Sequence, residues 1–177
     1  MSRCPALVLA FLISTTGLVH ATLNASHGSE LQPASLNISE LEDRAFEAVN
    51  LQRRANGLRP LTHAPDLSAI AREHSRDMIA RHYFAHRSPE GADLRTRFAR
   101  HGINRWRRIA ENIAYNLGYS DPVAAALEGW MRSHGHRQNI LDPRLVESGI
   151  GVAVEPTGRV YFTQVFATRD RDAIARR

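Results

Sequence analysis

Lysine is absent from this chain, and all 23 basic residues are arginine. That is the mark of a GC-rich coding sequence and carries no functional information. Cysteine is nearly absent as well. Cys4 is the one thiol, which excludes an intramolecular disulfide and leaves the hydrophobic core to carry stability. No apolar run reaches the roughly 20 residues of a bilayer span. The longest, Ala6 to Val19, has about 14. It follows the short basic start at Arg3 and ends in Val19-His20-Ala21, the pattern of a cleaved signal segment and not of an anchor. Cleavage after Ala21 removes Cys4, and because Cys4 precedes the run it is no lipidation site. Small eukaryotic secreted domains usually carry bridges, so a disulfide-free export points to a bacterial protein, secreted or periplasmic, with no transmembrane anchor after cleavage. In that setting the sequons at Asn24 and Asn37 mean nothing.

The 43% apolar content and 177-residue length suit one domain with a real core. We divide the chain into a signal peptide (1–21), a flexible linker (22–38), a folded domain (39–168) and a charged tail (169–177), expected to be monomeric. The sequence pI is about 10.3, but 18 acidic residues interleave with the arginines. Only Arg105-Trp106-Arg107-Arg108 is compactly basic. A solvated surface that tolerates anionic neighbours accounts for this better than nucleic-acid recognition.

Local signals place the elements. A capping box at Ser39-Glu40-Leu41-Glu42 opens a helix that Gly57 ends. Pro65-Asp66 opens a second, with Leu67, Ile70, Ala71, His74 and Met78 at helical spacing on its buried face. A short helix runs from Asp93 to Arg100 and stops at Gly102. Asp121-Pro122 caps a fourth through Ser133, which Gly135 ends. Two β-rich runs, Gly149–Glu155 and Arg159–Thr168, flank the turn Pro156-Thr157-Gly158. Helices first and strands late imply an α+β layered domain.

Three segments carry candidate chemistry. If the second helix lasted to Ala85, His74, His82 and His86 would share a stripe, and a His pair four apart can hold a metal; yet Tyr83 stands where a zinc-protease HExxH needs glutamate. Glu111, in Ala110-Glu111-Asn112-Ile113, lies in a segment that reads as buried and so needs an arginine, a histidine or a metal as partner. His134 and His136 flank Gly135, on what reads as a C-terminal helical turn, where imidazolium gains from the helix dipole.

Taken in order, HYFAHRSPEG, AENIA, GWMRSHGHRQNIL and GIGVAVEPTGRVYFTQVF resemble the CAP superfamily (the SCP domain of cysteine-rich secretory, antigen 5 and pathogenesis-related proteins) over about Leu41 to Thr168. The likeness is to its bacterial secreted branch. The resemblance implies an α-β-α sandwich with a central antiparallel sheet. It also implies a cleft in which the family places two histidines and two glutamates able to hold zinc or another divalent ion. His86 matches the first histidine and Glu111 the first glutamate. The second glutamate's place holds Ser133, and the second histidine's place falls on Tyr161 or Phe162. His136 is then the candidate to complete the site, with His134 capping its helix and facing solvent. His86, Glu111 and His136 have the ligand types of a zinc site with an open position, and equally those of a metal-free hydrogen-bonded cluster. The functions implied are binding of a lipid or other envelope ligand in that cleft, or hydrolysis. In the second, a peptidase, either Glu111 or His136 activates water, on a metal or alone, or Ser88 or Ser133 is a serine nucleophile, although no nucleophile elbow and no orienting aspartate accompany the serines.

Overall fold

Asn37 starts the first helix, its side chain accepting from the Glu40 backbone N–H. The structure is a computed structural model that describes residues 37–170; the signal segment, nearly all of the linker and most of the charged tail lie outside the described residues. Helix α1 spans Ile38–Ala55, so the predicted capping box at Ser39–Glu42 is incorrect. Ser39 is already inside the helix, and Glu42 is buried toward the sheet. There Glu42 accepts from the Val152 backbone N–H at 3.0 Å and from the Arg72 guanidinium at 2.6 Å, so the carboxylate has a better use than capping.

Helix α2, Pro65–Ala80, has proline in its first turn and buries Leu67, Ile70, Ala71, His74 and Met78, as the periodicity requires. It stops at Ala80. Two residues on, His82 takes φ +53°, which no continuing helix allows. The expected stripe through His74, His82 and His86 is therefore broken: His82 is exposed, and His86 arrives on the loop that leads to α3, Leu94–Arg100. Asp93 caps α3 by accepting from Thr96 N–H.

Four strands form one sheet in the order β1-β3-β4-β2: β1 Thr62–His63, β2 Trp106–Asn116, β3 Glu147–Val154 and β4 Val160–Arg169. The β3–β4 hairpin forms around Pro156-Thr157-Gly158, with Gly158 at φ +85°. The long pairings are antiparallel, while two-residue β1 runs parallel to β3, so the sheet is mixed where a wholly antiparallel one was expected. Helices cover both faces. Leu67, Ile70, Ala71 and Phe98 of α2 and α3 pack on Val165 and Ala167. On the other side α1, α4 (Pro122–Arg132) and α5 (His134–Ile140) pack on Ile150, Val152, Phe162 and Phe166. This is the α-β-α sandwich. In β3, a Cβ on Gly149 or Gly151 would lie 2.1 or 2.0 Å from the backbone nitrogens of Ser68 and Arg72, so α2 sits directly on the strand.

Asp121 caps α4 as expected, but Gly135 does not end it. Ser133, at ψ 120°, breaks the helical path, and a separate helix α5 starts at His134 with Gly135 in its first turn. His134 and His136 thus lie at the N-terminal end of α5, so His134 caps no C-terminus and gains nothing from one. Helices α4 and α5 clasp β2. Trp130 Nε1 donates to the Ile113 carbonyl (3.1 Å), and Asn139 Nδ2 donates to the Glu111 carbonyl (3.3 Å) and to Asn112 Oδ1 (2.9 Å). Asn112 in turn donates to the His136 carbonyl at 3.1 Å.

Candidate functional site

Along β2, Glu111, Ile113 and Tyr115 pair with Val165, Thr163 and Tyr161 of β4 and share the α2 side of the sheet. Alternation along the strand then points Asn112 to the α5 side. Glu111 is the buried centre of the site, its side chain only 4% exposed. One oxygen, Oε1, is 2.9 Å from His86 Nδ1. The other, Oε2, forms an ion pair at 2.8 Å with Arg97 Nη2 on α3, an arginine whose side chain is 5% exposed. His74 Nε2, from α2, is 3.8 Å from Oε1. Burial alone would raise the Glu111 carboxyl, but the His86 hydrogen bond and the Arg97 charge hold it below the usual carboxylate range.

The loop that carries His86 is fixed from beneath. His74 Nε2 donates to the Ala85 carbonyl at 3.0 Å, and Arg97 Nη2 donates to the His86 carbonyl at 3.1 Å. Two buried donors thus pin consecutive carbonyls and present the imidazole to Glu111. Burial pushes His74 down to about 4, outweighing the opposing pull of Glu111, so it is neutral at pH 7 and available as a donor. Its side chain faces Glu111 and Arg97 across the interface, and Asp77 and Tyr83 on its own side.

His86 itself is 54% exposed. It borders an open cavity of about 390 Å³ together with Glu111, Ile109, Leu94 and Asp93. His136 is partly buried across the strand, its ring centroid 6.2 Å from that of His86. Burial lowers its pKa, and the neighbouring His86 charge lowers it further. The structure therefore brings His86 against Glu111, and His136 against His86. It records no bond between His136 and Glu111. Ser133, at the α4–α5 junction, makes no side-chain hydrogen bond to any of them and caps neither helix with its side chain. Ser88 Oγ is tied into its own loop, donating to Glu90 and accepting from Ala92 N–H. His134 is exposed.

These residues do not suit a metal held on Glu111. Oε1 is bonded to His86, and although Oε2 has no hydrogen-bond partner of good geometry, the buried guanidinium of Arg97 beside it already supplies the cation; a divalent ion there would be repelled. Among the described residues no three His, Cys, Asp or Glu side chains are grouped to hold a metal ion. Arg97 is the residue that sequence reasoning missed. The need of Glu111 for a partner was readable, but which of 23 arginines supplies it is set by tertiary packing. Beside the site an aromatic cluster reaches the surface: Phe84, two residues before His86, meets Tyr115 edge-on at 4.8 Å between centroids.

The profile of the cysteine-rich secretory protein family (CAP) matches residues 46–166. The chain is 33% identical over 138 residues to YkwD of Bacillus subtilis, covering 78% of this chain and 51% of that protein. It is 34% identical over 128 residues to the B. subtilis membrane protein YlbC, covering 72% and 34% respectively. The chain thus spans about half or less of these relatives' length. Among solved structures, an extracellular SCP-domain protein from Bacillus anthracis superposes with a TM-score of 0.63 at 30% identity, over 77% of this chain and 45% of that one. An outer surface protein of Borrelia burgdorferi superposes at 0.69 over 76% and 97%; at 14% identity this is a likeness of fold alone.

Proposed function

The chain belongs to the cysteine-rich secretory protein (CAP) family, in its bacterial type, and from that premise we propose that it is an exported binding module for a lipid or other envelope ligand, taken at the surface around His86, Glu111 and His136. One observation carries this reading: His86 is exposed at the surface yet its loop is held by buried partners, and two residues before it Phe84 packs with exposed Tyr115. A pre-positioned polar group beside apolar surface favours recognition, because little conformational freedom is lost on binding. The relative from B. anthracis is described as extracellular, which supports export of this chain. Among the described residues no helix is long and apolar enough to cross a membrane.

The Glu111 cluster works in this proposal as a metal-free charge network, with Arg97 in the role a zinc ion would take. Calorimetric titration with zinc is expected to show no saturable binding. A zinc site abolished by His86→Ala or His136→Ala would restore the metal-centred alternative.

The binding reading is tested by co-sedimentation of the protein with isolated cell walls and with membrane vesicles. Binding to at least one fraction, weakened by His86→Ala, is expected; sedimentation with neither sinks the proposal. The second reading, a hydrolase, draws on the 2.9 Å contact of His86 Nδ1 with Glu111. That contact orients the ring as a carboxylate orients a general base and leaves Nε2 to activate water. Neither Ser88 nor Ser133 hydrogen-bonds a histidine, so a serine mechanism lacks its base. Turnover in a broad peptide and ester screen, lost in His86→Ala, would favour this alternative.

A further inference from the structure

Where α2 stops at Ala80, the sheet continues, and its uncovered end carries rings. Tyr115 of β2 lies opposite Tyr161 of β4 in the ladder, the two stacked with centroids 5.6 Å apart. Tyr161 is a buried floor (5% exposed) that packs with Met78 and Ile113. Phe84 closes the cluster from the loop, 4.8 Å from Tyr115 and 6.3 Å from Tyr161. Phe84 is 43% exposed and Tyr115 50%. A single exposed ring is ordinary, but two exposed rings in contact over a third, buried one form a patch that calls for a function.

Charge completes the patch. The Arg159 guanidinium lies 5.3 Å from the Tyr115 ring centroid and donates to the Tyr161 hydroxyl at 3.4 Å. Its nearest carboxylate, Glu155, is 3.7 Å away, too loose a pairing to saturate a five-donor fork. The chain as a whole is basic, with a net charge of +5.

We infer that this shelf of Phe84, Tyr115 and Tyr161, with Arg159 at its rim, binds an acidic glycan strand. The inference rests on the binding reading above and names the ligand class for the surface beside His86. Tyr115, held rigid by the strand ladder and backed by buried Tyr161, offers a ring at low entropic cost, with Phe84 beside it. Tyrosine hydroxyls and a guanidinium suit a ligand that is apolar on its ring faces and polar at its edges. An anion on the strand would take the free N–H groups of Arg159 in charge-assisted hydrogen bonds. A membrane surface fits less well: two of the three rings end in hydroxyls, and the patch sits on a strand pair and not on an apolar helix face of the kind that beds into lipid.

The test uses the full chain and three probes: a soluble tetrasaccharide of alternating N-acetylglucosamine and N-acetylmuramic acid, the neutral N-acetylglucosamine tetramer, and phosphatidylglycerol vesicles. Saturable binding of the acidic tetrasaccharide is expected, weakened about tenfold or more by Tyr115→Ala, the scale of one lost stacking contact. Phe84→Ala, on a loop outside the ladder, should weaken it too and guards against a folding defect in the strand variant. Arg159→Gln should remove the preference for the acidic over the neutral glycan, while Leu51→Ala, an equally exposed apolar residue on α1, should change nothing. Failure of the acidic glycan to bind, or binding indifferent to both Tyr115→Ala and Phe84→Ala, overturns the inference. So does vesicle binding through the same residues, which would leave the broader binding reading intact; only failure to bind walls and membranes alike removes both.

Discussion

Replacing Arg97 by glutamine leaves the Glu111 carboxylate in place and takes away its buried cation. In the native protein both side chains are about 95% removed from solvent and 2.8 Å apart, so water cannot substitute for the lost charge. Removing one partner of such a pair costs about 3–5 kcal/mol. Because the His86 hydrogen bond to Oε1 survives, the lower end, ~3 kcal/mol, is expected, a large share of a typical domain's stability. At roughly 2–4 °C per kcal/mol, the Tm should fall by about 6–12 °C. The loss should also depend on pH. In the native protein the Glu111 pKa is depressed, so its contribution is present above the unfolded carboxyl pKa and is lost as pH falls through the folded value. In the variant, burial without Arg97 raises that pKa, and acid neutralises the unpaired charge and relieves the penalty. The gap between native and variant should therefore narrow as pH drops from 7 toward 4. Urea unfolding at several pH values measures it, and the double change Arg97→Leu with Glu111→Leu should recover much of the loss. A deficit below about 1 kcal/mol that ignores pH would refute this account of the pair.

Trp130→Ala removes a fully buried indole and its bond to the Ile113 carbonyl, and denaturation should show a loss of about 3–5 kcal/mol; a near-neutral result would mean that α4 is misplaced. Gly151→Ala drives a methyl into the backbone at Arg72 and should lower stability more than alanine at exposed Gly129, where the space is open, as thermal melts of the two would show. For His74, whose pKa is pushed down to about 4, the folded state binds fewer protons than the unfolded state between about pH 4 and 6.5, so stability should fall as pH is lowered through that window. NMR titration of its ring should find a midpoint near 4; a midpoint near 6.5 would contradict the burial argument.

The parts of this fold that were readable have one signal each. Leu67, Ile70 and Met78 lie on the one buried face of α2, so their period survives in the sequence. The β3–β4 hairpin is announced by Pro156-Thr157-Gly158. By contrast β2 is buried mainly at its centre and carries Arg107, Arg108 and Glu111 among its residues, so it shows no clean alternation and reads only as a buried segment. The break at Ser133 lacks proline or glycine, and Gly135 nearby drew the helix end to the wrong place. At the site, the demand of Glu111 for a partner follows from burial alone. That Arg97 meets it, 14 residues earlier in the chain, follows only from how α3 lies over β2.

The clasp of α4 and α5 on β2 has a consequence beyond the site. β2 is the last strand of the sheet, and a terminal strand invites a foreign chain to extend it into an intermolecular ladder. Here the carbonyls of Glu111 and Ile113 are already taken by Asn139 and Trp130, so the template is blocked by side chains from the same segment that brings His136 to the surface. Drift at Trp130 or Asn139 would then show first as self-association between copies, ahead of any loss of ligand.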